Sequence, residues 1–166
     1  GEVYALDLHS TSAKGVPFAT VGDTMRNRRF AQTFPVTILL GIEEQLDGTL
    51  LEYLNNLGAV TLGFEAGQHE AESTAANHEA LVWMALVTAG SLKAADVPDL
   101  YKFRRQLTDT MTGPSVVEVR YRHVITPEDE FKMEPGFENF EPIRRGQFVA
   151  SDRKGAIYAG ESGMML

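Results

Sequence analysis

Apolar residues recur along this chain in two rhythms, and the rhythms alternate. Short unbroken runs at Val3-Tyr4-Ala5-Leu6, Val36-Thr37-Ile38-Leu39-Leu40 and Ala59-Val60-Thr61-Leu62-Gly63-Phe64 predict strands buried on both faces. Between them lie helical spacings. Residues 23–33 predict a helix with Asp23 as its N-cap, entered from a Gly15/Pro17 loop and closed by Pro35. Residues 46–57 repeat Leu46, Leu50, Leu51, Leu54 and Leu57 before Gly58, and residues 74–89 are apolar on most sides before Gly90. Strands alternating with helices predict right-handed crossovers and a largely parallel sheet.

The rhythm changes after Gly113-Pro114. Val117, Val119, Tyr121, His123 and Ile125 alternate with charged residues, the pattern of a half-buried antiparallel strand with His123 in a structural position. Glycines and prolines then recur at short intervals. The expectation is an α/β region over residues 1–113 and a small all-β domain over 114–166.

Two of the apolar runs end in chemistry. The first leads into Asp7-Leu8-His9-Ser10-Thr11 and the third into Glu65. Open α/β sheets place ligands beyond the carboxyl ends of their strands, so an imidazole and a carboxylate delivered there suit a metal-activated-water hydrolase. Composition narrows the donors. There is no cysteine, so a metal must be held by His, Asp or Glu, and the histidines are His9, His69, His78 and His123. A net charge of −8 argues against nucleic acid as a partner. The most apolar stretch, 80–89, is far short of the ~20 residues that span a bilayer. With no basic-then-apolar leader at the N-terminus, a cytoplasmic protein without a membrane partner is expected.

Three segments together carry a resemblance. Asp7-Leu8-His9-Ser10-Thr11, then Gly63-Phe64-Glu65-Ala66-Gly67-Gln68-His69, then the apolar helix ending at Gly90 resemble the succinylglutamate desuccinylase/aspartoacylase family. The tail is similar to that family's C-terminal β-domain at Pro135-Gly136-Phe137-Glu138-Asn139-Phe140 and Ile143-Arg144-Arg145-Gly146. The resemblance implies a partial carboxypeptidase-like α/β fold and a zinc-dependent hydrolase acting on a small N-acyl amino acid or related carboxylate. It makes His9 a zinc ligand and Glu65 the residue that activates water and then protonates the leaving amine. Asp7, two residues from His9 on the same strand face, becomes a carboxylate that orients the imidazole.

The same resemblance places two further zinc ligands, a His-x-x-Glu pair, and an Asn-Arg substrate grip ahead of His9, where this sequence has neither. Leu54-Asn55-Asn56 stands where aspartoacylases carry a substrate-binding arginine. The chain thus reads as the C-terminal portion of a longer enzyme. The alternative is a non-catalytic association module, in which an uncovered sheet edge pairs with a partner or with a second copy.

Other candidates weigh less. His69-Glu70-Ala71-Glu72 has His-x-x-Glu spacing but reads as an acidic helix-entry loop, with His69 at the pocket mouth. Arg26, Arg28 and Arg29 read as a solvated helix face and His78 as helix surface.

Overall fold

The computed structural model describes residues 1–46 and 48–166, without the Glu44 side chain. It contains β1 (Tyr4–Thr11), β2 (Phe18–Thr20), α1 (Met25–Ala31), β3 (Thr37–Leu40), α2 (Leu50–Asn56), β4 (Val60–Gln68), α3 (Glu72–Thr88), α4 (Leu100–Thr108) and β5 (Val116–Glu118). These five strands form one sheet in the order β1-β4-β2-β3-β5. Pairing is parallel at β1–β4, β2–β3 and β3–β5, and antiparallel only at β2–β4. The sheet is therefore mostly parallel, as the alternation of runs predicts.

Its two faces differ in chemistry. Along β4, Leu62, Phe64 and Ala66 turn into a buried cluster with Phe30, Phe34, Leu81, Met84, Ala85 and Leu107. The intervening positions Thr61, Gly63 and Glu65 share the opposite face with Asp7 and His9 of β1, because parallel partners in register point the same way. Thr20 lies directly opposite Gly63 on the β2 side. A Cβ built on Gly63 would overlap Thr20 Oγ1, so this crossing requires glycine.

Several elements depart from the sequence expectation for local reasons. The Gly15/Pro17 loop contains β2, whose Phe18-Ala19-Thr20 pairs antiparallel to β4. The cap of α1 is Thr24, not Asp23: the Thr24 backbone is extended and its hydroxyl accepts from Asn27 N, while Asp23 pairs with Arg28. The helix expected over 46–57 begins only at Leu50. Gly48 at φ +73 breaks it, Thr49 caps α2, and Asp47 lies outside the described residues.

The strand expected over 117–125 is reduced to β5, on the edge beside β3. Beyond it Tyr121 (78 %) and Ile125 (50 %), apolar positions of that alternation, are exposed. His123 is exposed rather than a core residue, sharing a hydrogen bond with Tyr121 Oη at 3.2 Å. α4 has no counterpart in the expectation. Its Leu100, Phe103 and Leu107 pack inward at helical spacing, and Phe103 stacks on Trp83 of α3.

Two compact units result, one of residues 1–12 and 16–120 and one of 13–15 and 121–166. The sequence puts a boundary after Gly113; here the first unit runs on to residue 120, because Val116–Glu118 adds a strand to β3. The second unit holds β6 (Lys132–Met133), β7 (Pro142–Ile143), β8 (Phe148–Asp152), β9 (Gly155–Tyr158) and β10 (Gly163–Met164) in two small antiparallel sheets, β6-β8-β9 and β7-β10.

Candidate active site

His9 and Glu65 face each other across the β1–β4 ladder, as register partners on the polar face of the sheet. Neither sits at a strand exit as the apolar runs suggest, since β1 continues to Thr11 and β4 to Gln68. The extension of β4 is held from α3. Asn77 Nδ2 donates to the Ala66 carbonyl at 2.9 Å, and Thr74 Oγ1 donates to the Gln68 carbonyl at 2.7 Å. Just past Glu65 the register slips: β1 advances from His9 to Thr11 while β4 advances from Glu65 to Gln68. The extra residue is a bulge at Ala66-Gly67, with Gly67 at φ +120, a conformation that side chains other than glycine's resist. Bulges of this kind re-aim neighbouring side chains and cluster at active sites.

Glu65 is the strained member of the pair. Its Oε2 is the buried side-chain polar atom without a hydrogen-bond partner among the described residues. Burial, the largest effect, pushes its carboxyl above the usual carboxylate range. His9 and His69 pull it back down, Asp7 pushes it up, and His78 adds a smaller downward pull. An acid in that setting holds a proton more tightly than an exposed carboxyl does, which suits it to proton transfer.

His9 is oriented by Asp7, whose Oδ1 lies 2.8 Å from Nε2. That hydrogen bond is the largest cause of a raised imidazole pKa; burial opposes it, and the carboxylates of Asp7, Glu65 and Glu43 add to it. With Nε2 committed to Asp7, Nδ1 is the ring nitrogen left for a ligand. The backbone of His9 is held as well, since His78 Nε2 donates to its carbonyl at 2.9 Å while the His78 ring packs edge-on against Phe64. His78 is thus a buttress of the site rather than helix surface. His69 reaches the same end of the ladder through Ser10, with Nδ1 and Oγ 2.8 Å apart.

Glu43 also belongs to this face, and nothing in its sequence neighbourhood singles it out. Its Oε1 accepts from Thr20 Oγ1 at 3.0 Å, beside Gly63, and its charge reaches His9. A cavity of about 170 Å³ adjoins it, lined by Gly22, Asp23, Glu43, Leu51, Glu52, Asn55 and Thr61. That is below the ~300–1,000 Å³ of a typical ligand pocket. The arginines expected on an open helix face are engaged nearby: Arg26 donates to the Asn55 carbonyl at 2.8 Å, and Arg28 pairs with Asp23.

The donor set answers for one corner of a metal site. His9 offers a nitrogen and Glu65 an unpartnered carboxylate oxygen, but among the described residues no group of three or more His, Cys, Asp or Glu is disposed to hold a metal. His9, His69 and Glu72 are therefore not assembled as a ligand set. Structural and catalytic zinc sites need at least three protein ligands, so these residues alone do not complete one.

Comparison with known proteins adds the fold. No family model matches the chain, and no curated protein sequence matches it. Solved structures do. The product-bound ectoine utilization protein EutE (DoeB) from Ruegeria pomeroyi superposes with a TM-score of 0.65 at 19 % identity, over 98 % of this chain and 52 % of its own. A succinylglutamatedesuccinylase/aspartoacylase from Rhodobacter sphaeroides matches with a TM-score of 0.66 at 15 % identity, over 97 % of this chain and 51 % of its own. This is the succinylglutamate desuccinylase/aspartoacylase fold. Succinylglutamate desuccinylase from Vibrio cholerae shares it too, at 20 % identity and a TM-score of 0.56, over 95 % of this chain and 46 % of its own. The chain spans about half the length of the solved structures that carry the fold.

Two predictions test the site's electrostatics. In Asp7→Asn, the His9 imidazole is expected to lose its main hydrogen-bonded support and titrate lower than in the parent, read from its NMR ring protons. The stability that the pair adds is present below the ordinary imidazole pKa and lost as pH rises through the raised one. An unchanged His9 titration contradicts the pairing.

Glu65→Gln is expected to melt above the parent at pH 7–8, read as a rise in Tm. The native state binds the Glu65 proton more tightly than the unfolded chain does, so ionisation costs stability above the raised pKa. The gain should vanish below the ordinary carboxylate pKa, where both states are protonated. A variant that melts lower than the parent at pH 8 counts against a strained carboxylate.

Proposed function

We propose that this chain is the C-terminal portion of a zinc-dependent hydrolase that cleaves the N-acyl amide bond of a small acylated amino acid. The observation that carries the reading is the register pair: His9 and Glu65 on adjacent parallel strands, on one face, with Glu65 Oε2 buried and unpartnered. The shared fold with proteins named as desuccinylases and aspartoacylases supports it.

In this reading His9, oriented by Asp7, supplies one zinc ligand, and the other ligands come from residues outside this chain. Zinc, when bound, supplies Lewis acidity and lowers the pKa of water to ~7. Glu65 takes the proton of the attacking water on its carboxylate and delivers it to the departing amine nitrogen. Burial suits it to that transfer, because a carboxyl whose pKa is raised takes a proton more readily than an ordinary carboxylate does. Asp7 holds the imidazole tautomer, and His78 fixes the strand on which it rides.

A second reading, a non-catalytic association module lacking the first two zinc ligands, draws support from the lack, among the described residues, of a group of three donors. Metal content separates the two. About one zinc per chain, lost in His9→Ala, favours the hydrolase; metal-free protein whose oligomeric state does not depend on zinc favours the module. Zinc that persists in His9→Ala but is lost in His69→Ala contradicts the assignment of the ligand. Substrate assays begin with N-succinylglutamate and N-acylaspartates, the compounds that the relatives' names carry.

A further inference from the structure

The charges of three imidazoles bear on Glu65, and two of those rings are already committed. His9 gives Nε2 to Asp7 and, in the proposed function, Nδ1 to the metal. His78 gives Nε2 to the His9 carbonyl. His69 is left. Its Nδ1 lies 2.8 Å from Ser10 Oγ, and its Nε2 has no hydrogen-bond partner among the described residues. The residue is exposed, so a small molecule can reach the ring. Two contacts fix where that ring sits. The His69 amide donates to the Thr11 carbonyl at 2.9 Å, just past the bulge at Ala66-Gly67. Ser10 holds the ring from β1, at the position after His9. A Ser10 hydroxyl that donates to Nδ1 leaves the ring proton on Nε2, which makes Nε2 an open donor.

We propose that His69 is a substrate-contacting residue whose Nε2–H donates to the α-carboxylate of the N-acyl amino acid, and that Ser10 is the positioning residue that sets its ring. The chemistry of the substrate chooses that group. Every N-acyl amino acid carries its α-carboxylate one carbon away from the scissile nitrogen, the atom to which Glu65 delivers a proton in the proposed function. A donor at this end of the β1–β4 ladder is therefore placed for that carboxylate. The rest of the polar face presents the carboxyl groups of Asp7, Glu43 and Glu65, none of which attracts an anion. Arg26 and Arg28 of α1 are engaged with the Asn55 carbonyl and with Asp23.

The inference rests on the hydrolase reading for its substrate, and its test lets either fail alone. The protein is the zinc-loaded polypeptide that includes the half of the fold this chain lacks. There His69→Ala should raise KM for N-succinylglutamate by about ten- to a hundredfold, the worth of a hydrogen bond to a charged group. Its kcat should stay within about threefold of the parent, with zinc content unchanged. His69→Gln keeps an N–H donor near the position of Nε2 and should recover most of the loss. Ser10→Ala should raise KM by a smaller factor, again with little change in kcat. On the substrate's α-carboxamide, parent and His69→Ala should agree within about threefold, because the charged partner is gone. Binding without turnover is read by NMR from the His69 ring protons, which should shift with N-succinylglutamate and stay in place with the α-carboxamide.

An unchanged KM in His69→Ala overturns the inference, as does a loss confined to kcat or a loss of zinc. Equal losses on the acid and on its α-carboxamide overturn it as well. A ring shift in a protein that hydrolyses nothing keeps the contact and removes the hydrolase reading. Hydrolysis with a silent ring does the reverse.

Discussion

Asn27→Ala is expected to destabilise the first unit by about 3–5 kcal/mol, because the side chain it removes is fully buried and lies within hydrogen-bonding distance of four groups. Its Oδ1 accepts from Thr61 N at 3.0 Å. The two N–H groups on its Nδ2 are shared among three acceptors, the Gly22 carbonyl at 3.1 Å, Asn55 Oδ1 at 3.0 Å and Thr61 Oγ1 at 3.1 Å. One residue of α1 thus ties the start of β4 to α2 and to the loop after β2. Alanine leaves the Thr61 amide and hydroxyl buried without partners, and each such group costs about 1–3 kcal/mol.

Against a total stability of about 5–15 kcal/mol, that loss is a large share of the free energy that holds the fold. The check is a urea melt, in which the midpoint should fall with little change in slope. Arg29→Ala on the exposed part of the same helix should stay within about 0.5 kcal/mol. A loss below about 1 kcal/mol in Asn27→Ala contradicts the account of how β4 is anchored.

The sheet was legible where apolar residues ran unbroken. Val36–Leu40 and Ala59–Phe64 have one outcome, burial on both faces, and β3 and β4 follow. What was not legible depends on pairing between distant residues. Phe18-Ala19-Thr20 is too short to announce itself and is a strand only because β4 lies alongside, with Gly63 accommodating Thr20. The alternation in 117–125 meets every local requirement of a strand, yet its apolar positions Tyr121 and Ile125 are exposed. α4 left a readable signal in Leu100, Phe103 and Leu107.

At the site, Asp7, His9 and Glu65 were marked by position, as polar residues following apolar runs. The β1–β4 register that sets Glu65 beside His9, and the slip at Ala66-Gly67 just beyond it, have no sequence signature beyond a glycine. Glu43 and His78 act through contacts 23 and 69 residues away in sequence, which no local pattern encodes.

The second large effect is expected at Glu65. If this carboxylate carries the proton from water to the leaving amine, Glu65→Gln should lower kcat by about a hundred- to ten-thousand-fold, the usual worth of a positioned acid–base group. The amide nearly preserves the shape and volume of the acid while removing its ability to ionise, and the stability argument above predicts a fold at least as robust. KM should change little, because Glu65 contributes to moving a proton rather than to holding the substrate. His9→Ala should also abolish activity, but through loss of metal, so zinc content divides the two variants: retained in Glu65→Gln, lost in His9→Ala. Asp7→Asn should fall between them, weakening the metal by about ten- to a hundredfold, as removal of a partner that orients a ligand does.

The most direct test is the single-turnover rate of N-acyl amino acid hydrolysis by zinc-loaded Glu65→Gln in the polypeptide that includes the half of the fold this chain lacks. The account predicts a rate at least about a hundredfold below the parent at equal zinc occupancy. A rate within a factor of about three of the parent would show that Glu65 carries no proton in the reaction, and the assignment of this strand pair as an active site would fall with it.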